Sequence, residues 1–225
     1  MTAPAAGLTR RYVAWSLDFA VVAMLALLVT WSRVQAATHA LKDAFSTLST
    51  DLGGRLGDAV LHGTSPDALA TQLLADPGVH AGADAVQAAL FGLCAPPLVA
   101  YALLGLLYHV GTEAGAWQAS PGQRALDLTV VRADGTRAAL PRLMARYVAS
   151  ALSWLTLNLG HVLALAPPHR TLHDLLSGTR VVQVTGETRL PRCAKAWLLL
   201  QMLVVVGVTA WGLLRYLALL QAALG

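Results

Sequence analysis

The sequence predicts an all-α transmembrane helical protein with three full spans plus one re-entrant or fourth span, and a small cytoplasmic two-stranded β element. Composition carries the first part of that prediction. The 225 residues are 56% hydrophobic and only 12% charged. Soluble domains run near one quarter charged, so this chain could not cover a water-facing surface without large apolar patches. The same apolar content excludes disorder. Segment length carries the second part, because a bilayer helix needs about twenty mostly apolar residues. Residues 12–31, 86–110, 147–166 and 196–214 approach that requirement. A pair of short β-branched runs, described below, carries the third.

Taken in chain order, the first stretch holds a single charge, Asp18. Residues 33–85 then set six Asp against Arg33, Lys42 and Arg55, the balance of an outside loop. Leu41, Phe45, Leu48, Leu52 and Leu56 recur at helical spacing and give one apolar stripe. Ser65-Pro66 reads as the cap and first turn of a second short helix that stops before Asp76-Pro77-Gly78. The segment is therefore expected to be a helical extracytoplasmic insert whose stripe packs on protein or on the lipid surface. The next span contains Pro96 and Pro97, which should kink it because neither ring donates to the helical ladder.

Val130-Val131 before Gly135 and Val181-Val182 before Gly186 are matched β-branched runs, each ending in a glycine turn. Isolated strands are unstable, so the two are expected to pair, which requires them to lie on one side of the membrane. Charge counting agrees. If residues 147–166 dip in and return to the same face, the sixteen Lys and Arg split twelve inside against four outside, which obeys the positive-inside rule. If all four stretches cross, the division is eight and eight. Asn158-Leu159-Gly160 is where a re-entrant hairpin could turn. The N-terminus is thus expected inside, and residues 196–225 supply an additional C-terminal span.

Three stretches carry a family resemblance. The first is Arg11-Tyr12-Val13-Ala14-Trp15-Ser16-Leu17-Asp18; the second is Glu113 followed by Ser120-Pro121-Gly122-Gln123-Arg124 and Leu128-Thr129-Val130-Val131; the third is Leu172-His173-Asp174 through Ser177-Gly178-Thr179-Arg180-Val181-Val182. Together they resemble the RDD family of bacterial membrane proteins, whose signature is one arginine and two aspartates. The match departs from the family pattern at Gln123, where a Lys is usual, and at Asp127, where a Gly precedes the strand. The resemblance implies a multi-pass protein of the bacterial inner membrane, with Arg11, Asp18 and Asp174 as the motif residues and a possible ion or proton site. Ala14, Glu113, Gly122, Arg124, His173, Gly178 and Thr179 support them.

Physical chemistry gives those residues work to do. Arg11 and Asp18 are two helical turns apart and share a face. An ionisable residue at bilayer depth normally faces the bundle interior. Thr171 reads as an N-cap with Asp174 completing a box-like start. Arg11, Asp18 and Asp174 are therefore expected to converge into one buried polar cluster at the cytoplasmic end of the first span. The resemblance implies one function, a proton-linked exchanger of monovalent cations acting as a homo-oligomer; the other reading is a non-transport accessory engaging a membrane protein or lipid partner. No basic stripe points to nucleic acid, no cofactor or enzymatic signature is present, and Cys94 and Cys193 have neither metal nor redox spacing. The pairs His109/Glu113 and His169/His173 read as interfacial polar residues and no metal is expected.

Overall fold

A computed structural model describes residues 6–155, 163, 170–187 and 189–224. The elements are α1 (Leu8–Leu61), α2 (Pro66–Ala75), α3 (Pro77–Ala114), α4 (Pro121–Ala125), β1 (Leu128–Arg132), α5 (Leu140–Leu155), α6 (Leu172–Ser177), β2 (Thr179–Gln183) and α7 (Arg192–Leu224). Three of them, α1, α3 and α7, are long and apolar enough to cross a membrane. The expected fourth or re-entrant segment falls mostly outside the described residues; of it, α5 is seen, beginning at Leu140.

The chain divides into two units. One holds residues 1–20 and 106–225, the other residues 21–105. In the second unit α1 does not stop at the end of its apolar stretch but continues into the expected insert as far as Leu61, a single helix of 54 residues. No Gly or Pro breaks it between Phe19 and Leu52, and residues 32–50 contain good helix formers, so nothing in the local sequence ends the helix at the apolar boundary. At 1.5 Å per residue it is about 80 Å long, against about 30 Å of bilayer hydrocarbon. Ser65 caps α2 as expected, accepting from the Ala68 N–H at 3.4 Å. Asp76 closes α2 and opens α3: its Oδ1 accepts from the Gly78 and Val79 N–H groups at 2.7 and 3.2 Å, with Pro77 in the first helical position. Arg55 fixes that corner by pairing with Asp51 at 2.9 Å and with Asp76. Of the leucine stripe, Leu48 lies over Gly82, while Phe45 and Leu56 remain exposed. With α3 as the neighbour, only a narrow seam is covered, and a stripe of period near 3.6 drifts off it.

The first unit has a small core: Val13, Ala14, Val110, Leu126, Leu128, Val130, Leu143, Val181 and Ala194, with Tyr147 and Trp197 packed against it. The two strands pair antiparallel, Val130 opposite Val181 and Val131 opposite Arg180, which is the expected pairing of the two valine runs. The echo between them is longer than the strands. Ser120 and Thr171 are both N-caps, Gln123 and Asp174 both stand at the third helical position, and Gly135 and Gly186 both turn with positive φ, at 86° and 67°. Each pair is separated by the same 51 residues as Val130 and Val181. The unit thus contains two capped-helix-and-strand modules related across the sheet.

Candidate functional site

Asp18 is 2% exposed and sits on the first-unit part of α1. Its Oδ1 accepts from the Tyr108 hydroxyl and from the Gly122 N–H, both at 2.8 Å, and its Oδ2 accepts from the Ser120 hydroxyl. Those donors come together because α4 points its N-terminus at α1. Ser120 caps α4 and Pro121 has no N–H to satisfy, so the Gly122 N–H is left for Asp18. Gln123 completes the capping box, its Oε1 accepting from the Ser120 N–H at 2.9 Å, and its Nε2 donates to Glu113 Oε1 at 3.2 Å. Gly122 permits the approach: a Cβ there would stand 2.4 Å from the Ala14 carbonyl oxygen and 2.8 Å from the Asp18 carboxylate.

Asp174 is fully buried at the third position of α6. Its Oδ2 accepts from Arg11 Nη1 at 2.7 Å and from the Thr171 N–H at 3.2 Å, and its Oδ1 accepts from Arg146 Nη1. Arg146 also donates to Thr179 Oγ1 at 3.1 Å and lies 3.7 Å from the Glu113 carboxylate, so two arginines meet two carboxylates. Arg170 reaches back to the Asp174 and Thr179 carbonyls at 3.1 and 2.8 Å, tying the loop before α6 to its end. Ser177 and Thr179 share a hydroxyl contact at 2.8 Å, and the His173 ring meets Thr171 Oγ1 at 2.9 Å. Gly178 ends α6 with φ +67°, and a Cβ there would sit 2.7 Å from Arg142 Nη1.

The expected single cluster is therefore two sites. Asp18 is met by Tyr108, Ser120 and Gly122 and not by Arg11, whose guanidinium turns toward Asp174 and the Val181 carbonyl. The reason is geometric. Asp18 lies about 10 Å farther along α1 than Arg11, and a nearer carboxylate with an equally buried second arginine outcompetes it. Of the supporting residues, Glu113, His173 and Thr179 belong to the Asp174 site, Gly178 shapes its edge, and Ala14 and Gly122 form the contact beside Asp18. Arg124 is in neither; it stacks on Trp117 at 4.3 Å from the ring centroid. Among the described residues no group of His, Cys, Asp or Glu is placed to hold a metal ion.

Sequence reasoning missed Arg146, Tyr108 and the role of Ser120. A signal for Arg146 was present: Arg146-Tyr147-Val148-Ala149 repeats Arg11-Tyr12-Val13-Ala14. Both copies lie inside helices, α1 and α5, and the two arginines donate to different oxygens of Asp174. Asp127, the departure from Gly, has φ +57°, which explains why a glycine suits that position and how an Asp is tolerated there.

The RDD family model matches residues 5–178, which contain Arg11, Asp18 and Asp174. The chain belongs to the RDD family. No curated protein and no solved structure matches it. In this RDD chain the signature residues serve two carboxylate sites, each met by three donors: Asp18 by Tyr108 of α3 and by Ser120 and Gly122 at the start of α4, Asp174 by Arg11 of α1, Arg146 of α5 and the Thr171 N–H.

Burial alone would raise the Asp174 carboxyl, but the Arg146, His173 and Arg11 charges outweigh it and hold the group well below the usual carboxylate range. A depressed folded-state pKa contributes stability that is present above the unfolded value, about 3.9, and is lost as pH falls toward the folded one. The gap in melting temperature between the parent and Asp174→Asn is expected to be flat from neutral pH down to about pH 4 and to close only below it. A pH series of thermal unfolding in detergent checks this; a gap already closing at pH 6 contradicts it.

Proposed function

We propose that this RDD protein is a non-transport membrane accessory of the bacterial inner membrane, multi-pass with its N-terminus inside, and that Arg11, Asp18 and Asp174 lock its first unit into a fixed shape for a lipid or membrane-protein partner. The observation that carries this reading is how fully both carboxylates are engaged. A carboxylate offers about four acceptor positions, and Asp18 and Asp174 each use three, Asp18 on α3 and the capped start of α4, Asp174 on α1, α5 and its own N-cap. A group that must exchange a proton or a cation gains little from such partners; a staple gains everything from them. Orientation is supported by charge: the first unit carries thirteen Lys and Arg against six Asp and Glu, and the second carries three against six. The reading includes no catalytic residue and no cofactor.

Proton-linked exchange of monovalent cations by a homo-oligomer is the second reading, favoured by one feature: a carboxylate, Asp18, buried within a candidate span and held by a Tyr hydroxyl. Proteoliposomes separate the two. Under the accessory reading, a sodium or potassium gradient drives no proton movement in the parent, and Asp18→Asn lowers thermal stability in detergent. Under exchange, the parent moves protons and Asp18→Asn abolishes that movement at near-unchanged stability.

A further inference from the structure

Helices α5 and α6 are built inside out. On α5 the inward positions are Leu143, Arg146 and Ala149, while Leu140, Met144 and Val148 point outward at 52%, 45% and 66% exposure. On α6, His173, Asp174 and Ser177 are buried, and Leu175 and Leu176 are 44% and 59% exposed. A helix at a protein surface in water shows the opposite arrangement, apolar stripe inward and polar face outward. Here Arg146, His173, Asp174 and Ser177 are turned to the arginine and aspartate lock, and of the exposed residues from Leu140 to Val148 all but Arg142 are apolar. Arg142, at the edge of that face, turns back to donate to the Ser177 carbonyl at 3.2 Å.

The surroundings that suit such a face are at least as apolar as the protein interior. Two further observations fix which surroundings these are. The same unit includes α7, a candidate span exposed along its whole apolar window, so bilayer is already the neighbour of this unit. The turns at 133–136 and 184–187 are also exposed but carry Asp134, Thr136, Thr185 and Glu187, and Arg124, Arg189, Arg192 and Lys195 are exposed on other segments, so the charged exterior of the unit lies mostly away from this face. A protein partner would ordinarily be met by a polar rim with several hydrogen-bonding groups, whereas this face has Arg142 alone at its edge, already donating to the Ser177 carbonyl.

We propose that lipid acyl chains cover the outward face of α5 and α6, so that the Arg11, Arg146 and Asp174 lock is sunk within a leaflet instead of standing in a water-exposed cap. This holds whether or not an ion crosses the protein. Nitroxide labels at Val148→Cys, Leu176→Cys and Thr185→Cys, each in a full-length Cys94→Ser, Cys193→Ser background in vesicles of phosphatidylethanolamine and phosphatidylglycerol, test it by electron paramagnetic resonance. At 148 and 176, collisions with oxygen are expected to exceed those with a water-soluble nickel chelate, and at 185 the order should reverse. Nickel access at 148 or 176 overturns the proposal in favour of water, and protection from both reagents overturns it in favour of a protein cover. Met144→Cys, on the same face, supplies the same reading should either substitution on α5 or α6 prevent folding.

Discussion

Asp174→Asn is expected to destabilise the chain by about 3–5 kcal/mol, the usual cost of removing one partner from a buried ionic cluster. Asp174 is fully buried and its two oxygens answer two different arginines. An asparagine of the same size offers one acceptor, no charge, and an amide that points donors at guanidinium donors. Arg146 then keeps Glu113 at 3.7 Å, and Arg11 keeps backbone carbonyls. Arg146→Gln should cost less, because Arg11 still neutralises Asp174. Thermal and denaturant unfolding of the purified variants check the ranking, and an Arg146→Gln loss as large as that of Asp174→Asn would refute the shared-carboxylate account.

Gly122→Ala is expected to be comparably damaging, about 3 kcal/mol or more, by overpacking against rigid atoms. The added methyl would meet the Ala14 carbonyl at 2.4 Å, and that oxygen belongs to the backbone of α1, which cannot rotate away as a side-chain tip can. Relief requires moving α4 off α1, which also breaks the Gly122 and Ser120 bonds to Asp18. Gly53→Ala and Gly57→Ala supply the contrast. A Cβ at either meets nothing within 4 Å and both lie inside α1, so each should stabilise by about 0.5–1 kcal/mol through helix propensity alone. Unfolding measurements on the three variants should give opposite signs.

Much of the fold could be read from local chemistry. Ser65-Pro66, Asp76-Pro77 and Thr171 with Asp174 mark helix ends because capping is decided within four residues. The valine runs mark strands because a lone strand needs a partner. What could not be read depends on distant competition. Arg11 and Asp18 share a helix face, yet which carboxylate the arginine takes is settled by an aspartate 163 residues away and by Arg146 beside it. The length of α1 is hidden for a related reason: residues 33–61 are polar enough to leave the bilayer, which marks the end of a span but not of a helix, and good helix formers carry α1 as far as Gly53 and past it to Leu61. The glycine in Ser120-Pro121-Gly122 was legible as a motif letter, but its reason, the closeness of two backbones, exists only in three dimensions.

The dependence of the first helix on its last partner also sets an order of assembly. Arg11 emerges early, but its carboxylate follows 163 residues later, and Gly122 follows Asp18 by 104. At bacterial or slower translation rates of about 5–20 residues per second, that is a wait of about 8–30 s for Arg11. Asp18 waits the shorter interval for its donors and Arg11 the longer one for its carboxylate. A chain truncated before α6 can therefore satisfy Asp18 but leaves Arg11 and Arg146 without Asp174, with Glu113 the carboxylate beside Arg146.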